Sequence, residues 1–506
     1  MPSFGLRRLG VSLAFRCLLA AAPGLLAASV GLAWAGPLVL AAIDATPRSG
    51  AAASPLAAAE APPLVRVLIR QQSSLALAAA ASPLRLTDAQ GQPLGQIAAE
   101  QPFQLRQQQA ALVVVIPGVD GSGETLLPVP GDLWIVPLPA QGRSPLLTVE
   151  GQLYRGRLLV KAGVDGRLLV INQLPLERYL PSVVGSEMPA AWPQAALRAQ
   201  AVAARTYALS QLKPTALFDL KATVDSQVYR GVASETDSTR SAVVSTRSQV
   251  LMQGNVLINA VFHSSSGGST ENSGEVWSRQ LPYLVSVPDF DQRSPMRQWQ
   301  QRIEPDQLRR VFRETAGVSR IDVLAVSRTG RVRRARVIGP AGSLELSGAE
   351  LRQRLGLRST LVKAFRLEPV AGTTSTASAA GPGSIAEALL ALQSAAGPGR
   401  ASGAPSLAEV LQDSASGAII SLLPAPPAAP MSAAAGAAPV ASDRSTPAAA
   451  DFPQPALELV VEGRGFGHGV GMSQWGAYAM ALQGRSYEQI LRHYYRGVDL
   501  KPYVNP

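Results

Sequence analysis

The chain has one cysteine, Cys17, so it can form no disulfide within itself and no thiolate-based metal site. Histidine is nearly as scarce: His263, His468 and His493 are the complete set, whereas zinc sites ordinarily gather more nitrogen or sulfur ligands close together. A metal held by His263, His468 and a carboxylate stays open. Only 5% of the residues are aromatic, so each tryptophan or tyrosine carries more information than usual. No lysine followed by Ser or Thr accompanies the glycine-rich segments, and their spacing matches neither a phosphate loop nor a dinucleotide fingerprint. A Gly-x-Ser-x-Gly nucleophile elbow is also missing from the serine-rich segments.

What is present in excess is positive charge. The formal net charge is +11 over 506 residues, with arginines concentrated at 302–336 and 352–358. A basic exterior suits an anionic polymer; an arginine-rich compositional bias is the plainer alternative. No nucleic-acid fold signature accompanies the arginines, so nucleic acid is not expected as a partner.

The first residues set the compartment. Arg7 and Arg8 precede an apolar stretch, and Ala33-Trp34-Ala35 before Gly36 fits a signal-peptide cleavage site. The alternative is an uncleaved anchor, since 17–43 is nearly free of charge and long enough to span a bilayer. Residues 1–43 are thus read as signal peptide or membrane anchor, with the rest of the chain exported. Phe15-Arg16 before Cys17 does not resemble a lipoprotein cleavage site. Any contact with a membrane is expected only through this N-terminal segment.

Further along, 44–63 is rich in Ala, Ser and Pro and reads as a flexible linker. From 64 to 172 short β-type runs at 65–69, 111–116, 133–136 and 168–171, separated by turn signals, predict a β-rich N-terminal part. A core of mixed character follows at 173–370. Its clearest element is a helix over 194–212, built from Ala, Leu, Gln and Arg, with Leu197, Ala201, Ala204 and Ala208 on one face. Strands over 321–367 with a short helix at 348–355 complete it. Residues 371–453 are Ala/Gly/Ser/Pro-rich and read as a disordered low-complexity insertion. The patterned tail at 454–506, with a strand at 457–461, a glycine-rich loop and a helix at 487–495, is expected to return and complete the core. The expected class is α+β: a β-rich part joined to an α/β core that the insertion interrupts.

Three segments hold the candidate chemistry. In 174–209, Glu187 lies between Gly185-Ser186 and Met188-Pro189, read as a turn before the long helix and flanked by apolar residues and Trp192. Partial desolvation would raise its pKa and let it carry a proton near neutrality; a surface or capping carboxylate is the plain alternative. Gln200, Arg205, Thr206 and Tyr207 are polar groups on an alanine-rich helix, placed to reach a cleft, although Tyr207 could be core and Arg205 could pair with Glu187. The second segment joins DSQVYRG, at 225–231 and containing Tyr229, to FHSSSGGSTENSGEVW at 262–277. His263, Ser265 and Ser266 there suit a loop that hydrogen-bonds sugar hydroxyls; a plain turn and a nucleophilic serine remain the alternatives. In the third, GRGFGHGVGMSQWGAYAMALQGRSYEQILRHYY at 463–495, Phe466 and Trp475 beside His468, Ser473 and Gln474 suggest a carbohydrate cleft.

In this order, the three segments resemble the stage II sporulation protein D / amidase enhancer (SpoIID/LytB) family, over about 66–367 and again at 458–498. The resemblance implies a SpoIID-type core and a lytic transglycosylase that cuts peptidoglycan strands stripped of their stem peptides, with Glu187 as acid and base. It also implies chemistry with one carboxylate, although Asp225, Glu271 or Glu275 could approach. The alternative is a non-catalytic glycan-binding enhancer of a cell-wall amidase. Some relatives carry zinc on cysteines near the position of His263; this chain lacks them, so no metal or other cofactor is expected.

Overall fold

The structure is a computed structural model, and it describes residues 62–504 apart from 109–110, 119–122, 140–141, 143 and 371–456. The leader, all but the end of the linker, and the low-complexity insertion lie outside the described residues. Among the described residues no helix is long and apolar enough to cross a membrane.

Alternation builds the first layers. Along Leu64–Gln72, Val65, Val67 and Ile69 are buried while the residues between them are not, the signature of a strand with one face on a core. This strand pairs antiparallel with Leu168–Pro175 and parallel with Leu220–Lys221, at one end of a seven-stranded sheet. A six-stranded antiparallel sheet, from Gln152–Tyr154 to Glu124–Val129, supplies further buried residues such as Leu75, Leu105 and Val114. The predicted runs fall inside strands Leu64–Gln72, Ala111–Pro117, Leu133–Pro137 and Leu168–Pro175.

Strand Leu168–Pro175 leads directly into helix Leu176–Glu187, so the expected boundary at 172/173 falls inside a strand. One hydrophobic core runs unbroken from Val65 through the helices to Val498. The alanine helix, Gln194–Ser210, lies within it and is buried on nearly every side. Its small side chains let four helices pack around it: Leu176–Glu187, Asp237–Ser245, Gln474–Leu482 and Tyr487–Tyr494. The single apolar face expected from the sequence is therefore only part of the buried surface. A second core gathers Trp299, Ile303, Phe312, Val337, Leu355 and Val461.

The C-terminal segment threads through both regions. Strand Leu457–Gly463 lies between Trp299–Ile303 and Val362–Pro369, Met472–Ser473 pairs parallel with Phe262–His263, and Asp499–Pro502 pairs with Gln249–Gln253. The class is mixed α+β. The helix at Gly348–Leu355 has the predicted bounds, with a reciprocal Ser347–Glu350 capping box.

Candidate functional site

Glu187 closes its helix rather than occupying a turn, which corrects the sequence reading. The helix continues through Gly185 and Ser186, and the chain turns extended only at Met188. Gly185 permits this because the segment Gly231–Ser234 presses against it: a Cβ there would stand 1.9 Å from the Ser234 carbonyl oxygen. The contact is held by hydroxyls, Ser186 Oγ donating to Ser234 Oγ at 3.0 Å and Ser234 Oγ to the Ser182 carbonyl at 2.9 Å.

Two donors from distant parts of the chain meet the Glu187 carboxylate. The Val228 amide donates to Oε1 at 3.1 Å, and Gln474 Nε2 donates to Oε2 at 3.0 Å. Burial raises the pKa of the half-buried carboxyl above the ordinary glutamate value, and the two donors pull it part of the way back. Opposed influences of this kind leave a group able to give up and retake a proton.

The DSQVYRG segment supplies the first donor. Gln227 and Tyr229 are buried on either side of Val228: Gln227 accepts from Tyr179 Oη at 3.1 Å and donates to the Ala204 carbonyl, while Tyr229 Oη donates to Asn172 Oδ1 at 2.8 Å. The Tyr179 and Tyr229 rings lie 5.0 Å apart. With its neighbours anchored inward, the Val228 N–H has a fixed direction. The sequence reading placed Tyr229 among the substrate contacts; it is buried structure instead. Its alternation with Gln227 was the available sign that the residue between them faces the carboxylate. Tyr207, half-buried near Ser226, also has its pKa raised by burial.

Helix Gln474–Leu482 supplies the second donor. Ser473 caps it, accepting from the Gly476 amide at 3.2 Å, which gives that residue a structural use. One residue past Gln474, buried Trp475 meets Trp192 with ring centroids 4.9 Å apart, and Tyr478 closes the group at 4.7 Å from Trp192. Trp192 and Tyr478 remain partly exposed. The sequence reading included Trp192, Gln474 and Trp475 but missed Tyr478, which one helical turn brings beside them.

Other expected site residues are spent elsewhere. Arg205 is 1% exposed and forms a two-pronged pair with Glu177, at 2.7 and 2.9 Å, rather than reaching a cleft or Glu187. Gln200 is fully buried, with neither amide atom hydrogen-bonded in the described structure. Thr206 bonds back to Val202 and receives the Leu251 amide. Ser265 donates to Asp291, and Ser266 to Asp289, each at 2.5 Å, so these serines pin a loop. Of the carboxylates that could have joined Glu187, Asp225 pairs with Lys221, Glu275 pairs with Arg333, and Glu271 receives Ser327 and Thr329.

The histidines are equally committed. The Val470 amide donates to His468 Nδ1, so His468 Nε2 carries the proton and donates to the Phe262 carbonyl at 3.0 Å. His263 Nδ1 donates to the Val470 carbonyl at 3.0 Å, leaving Nε2 without a partner in the interior. Burial, with Arg331 adding to it, lowers the His263 pKa to about 3; burial and then His263 itself hold His468 well below the usual range. Arg331 is 2% exposed and packs against Gly469, at φ 82°, where a Cβ would come within 2.3 Å of the guanidinium. Among the described residues no three His, Cys, Asp or Glu side chains gather as a metal site. With both His468 nitrogens in use, the histidine pair does not fit zinc.

The comparisons with known proteins agree with the family expected from the sequence. The family model described as SpoIID, stage II sporulation protein, matches residues 164–253, the stretch that contains the Glu187 helix, the alanine helix and the Val228 loop. The chain is similar to the amidase enhancer of Bacillus subtilis (strain 168), 29% identical over 345 residues, covering 64% of this chain and 40% of that protein. It is also similar to stage II sporulation protein D of Bacillus amyloliquefaciens, 26% identical over 349 residues, covering 65% of this chain and 75% of that protein. The B. subtilis stage II sporulation protein D is 26% identical over 352 residues.

Proposed function

The chain is of the SpoIID/LytB family, and from that premise we propose that it is a lytic transglycosylase acting on peptidoglycan strands freed of their stem peptides. The observation that carries this reading is the Glu187 carboxyl, half-buried, raised in pKa and held by two donors. Glu187 gives its proton to the glycosidic oxygen as the bond from muramic C1 breaks. The C6 hydroxyl of the same muramic residue then bonds to C1, and its proton returns to the carboxylate. The ring closes as a 1,6-anhydro sugar. No water enters and no second carboxylate is needed, in keeping with the commitment of Asp225, Glu271 and Glu275 to other partners. During the step the Val228 N–H and Gln474 amide stabilise the carboxylate that forms. The Trp192–Trp475–Tyr478 group beside Gln474 offers aromatic faces on which sugar rings can pack. In this reading the protein works outside the cytoplasm, in the cell envelope, delivered by its N-terminal segment.

Incubating the protein with intact and with amidase-treated sacculi, and analysing the products by mass spectrometry, tests the proposal. Anhydro-muramic products from the treated sacculi are expected; reducing-end products, or none, would overturn it. A second reading follows from the name of the amidase enhancer relative: a glycan-binding protein that stimulates a separate cell-wall amidase. Stimulation that persists in a Glu187→Gln variant would favour it.

A further inference from the structure

The helix that presents Gln474 to Glu187 continues to a groove that the catalytic proposal does not use. Phe290 and Met480 form part of its lining, and Arg485, Arg492 and Arg496 stand exposed around it. Among the described residues none of these three arginines has a carboxylate within ion-pair distance, unlike Arg66, Arg155, Arg205 and Arg302 but like several others, Arg230 and Arg464 among them. Glu488, one turn before Arg492, lies outside ion-pair distance of it, although the two opposite charges still attract. The geometry is fixed from below: His493 Nε2 donates to the Pro288 carbonyl at 2.8 Å, and its ring lies 5.6 Å from that of Phe290. Three exposed guanidinium groups around a partly apolar lining match a ligand with apolar faces and repeated carboxylates. Met480 lies six residues along the helix from Gln474, roughly 9 Å of axial rise and about one and two-thirds turns at the standard geometry.

Building on the transglycosylase reading, we infer that this groove is a distal subsite in which Arg485, Arg492 and Arg496 bind the lactyl carboxylates of the same glycan strand. A muramic residue that keeps its stem peptide has that carboxylate tied up in an amide. Removing the peptide uncovers the anion, so the groove would select stripped strands at a distance from the bond being cut. A membrane surface is the less fitting occupant, because the arginines surround a recess instead of flanking a protruding apolar edge.

The test uses the full chain carrying Glu187→Gln, so that binding is read without turnover. Stripped strands and the same strands with their carboxylates converted to methylamides are titrated against this protein and against one that also carries R485Q, R492Q and R496Q. The parent is expected to bind stripped strands at least about tenfold more tightly than the amidated ones. The triple variant, whose changes are at exposed positions and whose folding is checked by thermal melting, is expected to lose that preference and bind both alike. Equal binding of stripped strands by parent and triple variant, or an equal loss for both ligands, would overturn the inference. So would arginine dependence seen only with phosphatidylglycerol vesicles. If the charge preference holds but the wild-type protein releases no anhydro product, the transglycosylase reading fails and the subsite stands.

Discussion

Two polar clusters of this protein look equally chemical in the sequence and differ in what the fold leaves free. The Glu187 cluster draws one carboxyl, one backbone amide and one side-chain amide from three separate segments, and leaves the carboxyl half-buried with a raised pKa. The cluster around His263, His468, Asp289 and Asp291 is richer in residue types associated with catalysis, yet nearly every donor and acceptor in it is consumed internally. Ser266 and Tyr494 donate to Asp289, Ser265 and the Gly267 amide to Asp291, and both histidines to backbone carbonyls. The exceptions, His263 Nε2 and Asp291 Oδ1, both lie in the interior. Hydrogen-bonding capacity left over at an accessible position separates a reacting group from a bracing one.

The sharpest way to break this comparison is to change one residue in each cluster. Glu187→Gln should lower glycan cleavage by at least about 10²-fold, the usual contribution of a positioned acid. Its thermal midpoint should stay near wild type, because a rotated Gln474 amide can present its oxygen to the new NH₂ group. Cleavage assays with thermal melts check both parts; retained cleavage would remove Glu187 from the mechanism. Asp289→Ala should act in the opposite sense. It strips the Ser266 and Tyr494 hydroxyls, both buried, of their acceptor and takes a negative charge from the neighbourhood of Arg331. A loss of about 3–5 kcal/mol is expected, read as a shift of the urea midpoint.

The histidine cluster has a pH signature of its own. His263 is held near pKa 3 in the fold against about 6.5 when unfolded, so the unfolded chain binds protons more readily. The stabilisation linked to the neutral imidazole is complete above about pH 6.5 and is lost as pH falls towards 3. Thermal midpoints should drop across that window, and His263→Gln should flatten the drop. An unchanged slope would mean that His263 is not buried neutral.

How much of this was legible in the sequence follows the range over which each feature is encoded. Strand alternation, the alanine helix and the short helix at 348–355 are local, and their positions agree with the sequence pattern to within a few residues. Glu187 stood out because its neighbours are apolar. Its placement in a turn failed because Gly185 and Ser186 resemble turn residues, whereas the fold uses their small size for close approach to Ser234. Long-range pairing was hidden. Nothing local indicates that Arg205 meets Glu177, 28 positions away, or that Gln474 reaches Glu187 across 287 positions. The serine and histidine segments misled for the same reason: Asp289 and Asp291, which consume the serines, lie further along the chain. Gly185→Ala tests the close approach directly. The new methyl group meets a backbone oxygen that cannot turn aside, so about 1–3 kcal/mol should be lost, with cleavage falling in parallel as the Glu187 helix shifts.

The smallest effect is also the most specific to the Glu187 cluster. Gln474 donates more strongly to the ionised than to the neutral form of Glu187, and the difference between a charge-assisted and a neutral hydrogen bond, about 0.5–1.5 kcal/mol, is equivalent to about 0.4–1.1 pKa units. Gln474→Met removes the donor while keeping the length of the side chain, so the carboxyl should hold its proton to higher pH. Because the first step needs the protonated acid, activity declines as pH rises through the Glu187 pKa. In the variant that alkaline decline should move upward by about half a unit to one unit. Folding follows the same linkage: a carboxyl raised in the native state contributes stability below its unfolded pKa and loses it as pH rises through the folded value. The variant should therefore keep that contribution to a correspondingly higher pH. His468→Gln, which alters the other cluster, should lower stability without moving the alkaline limb. A limb that moved with His468 and stayed fixed with Gln474 would reverse the roles given to the two clusters.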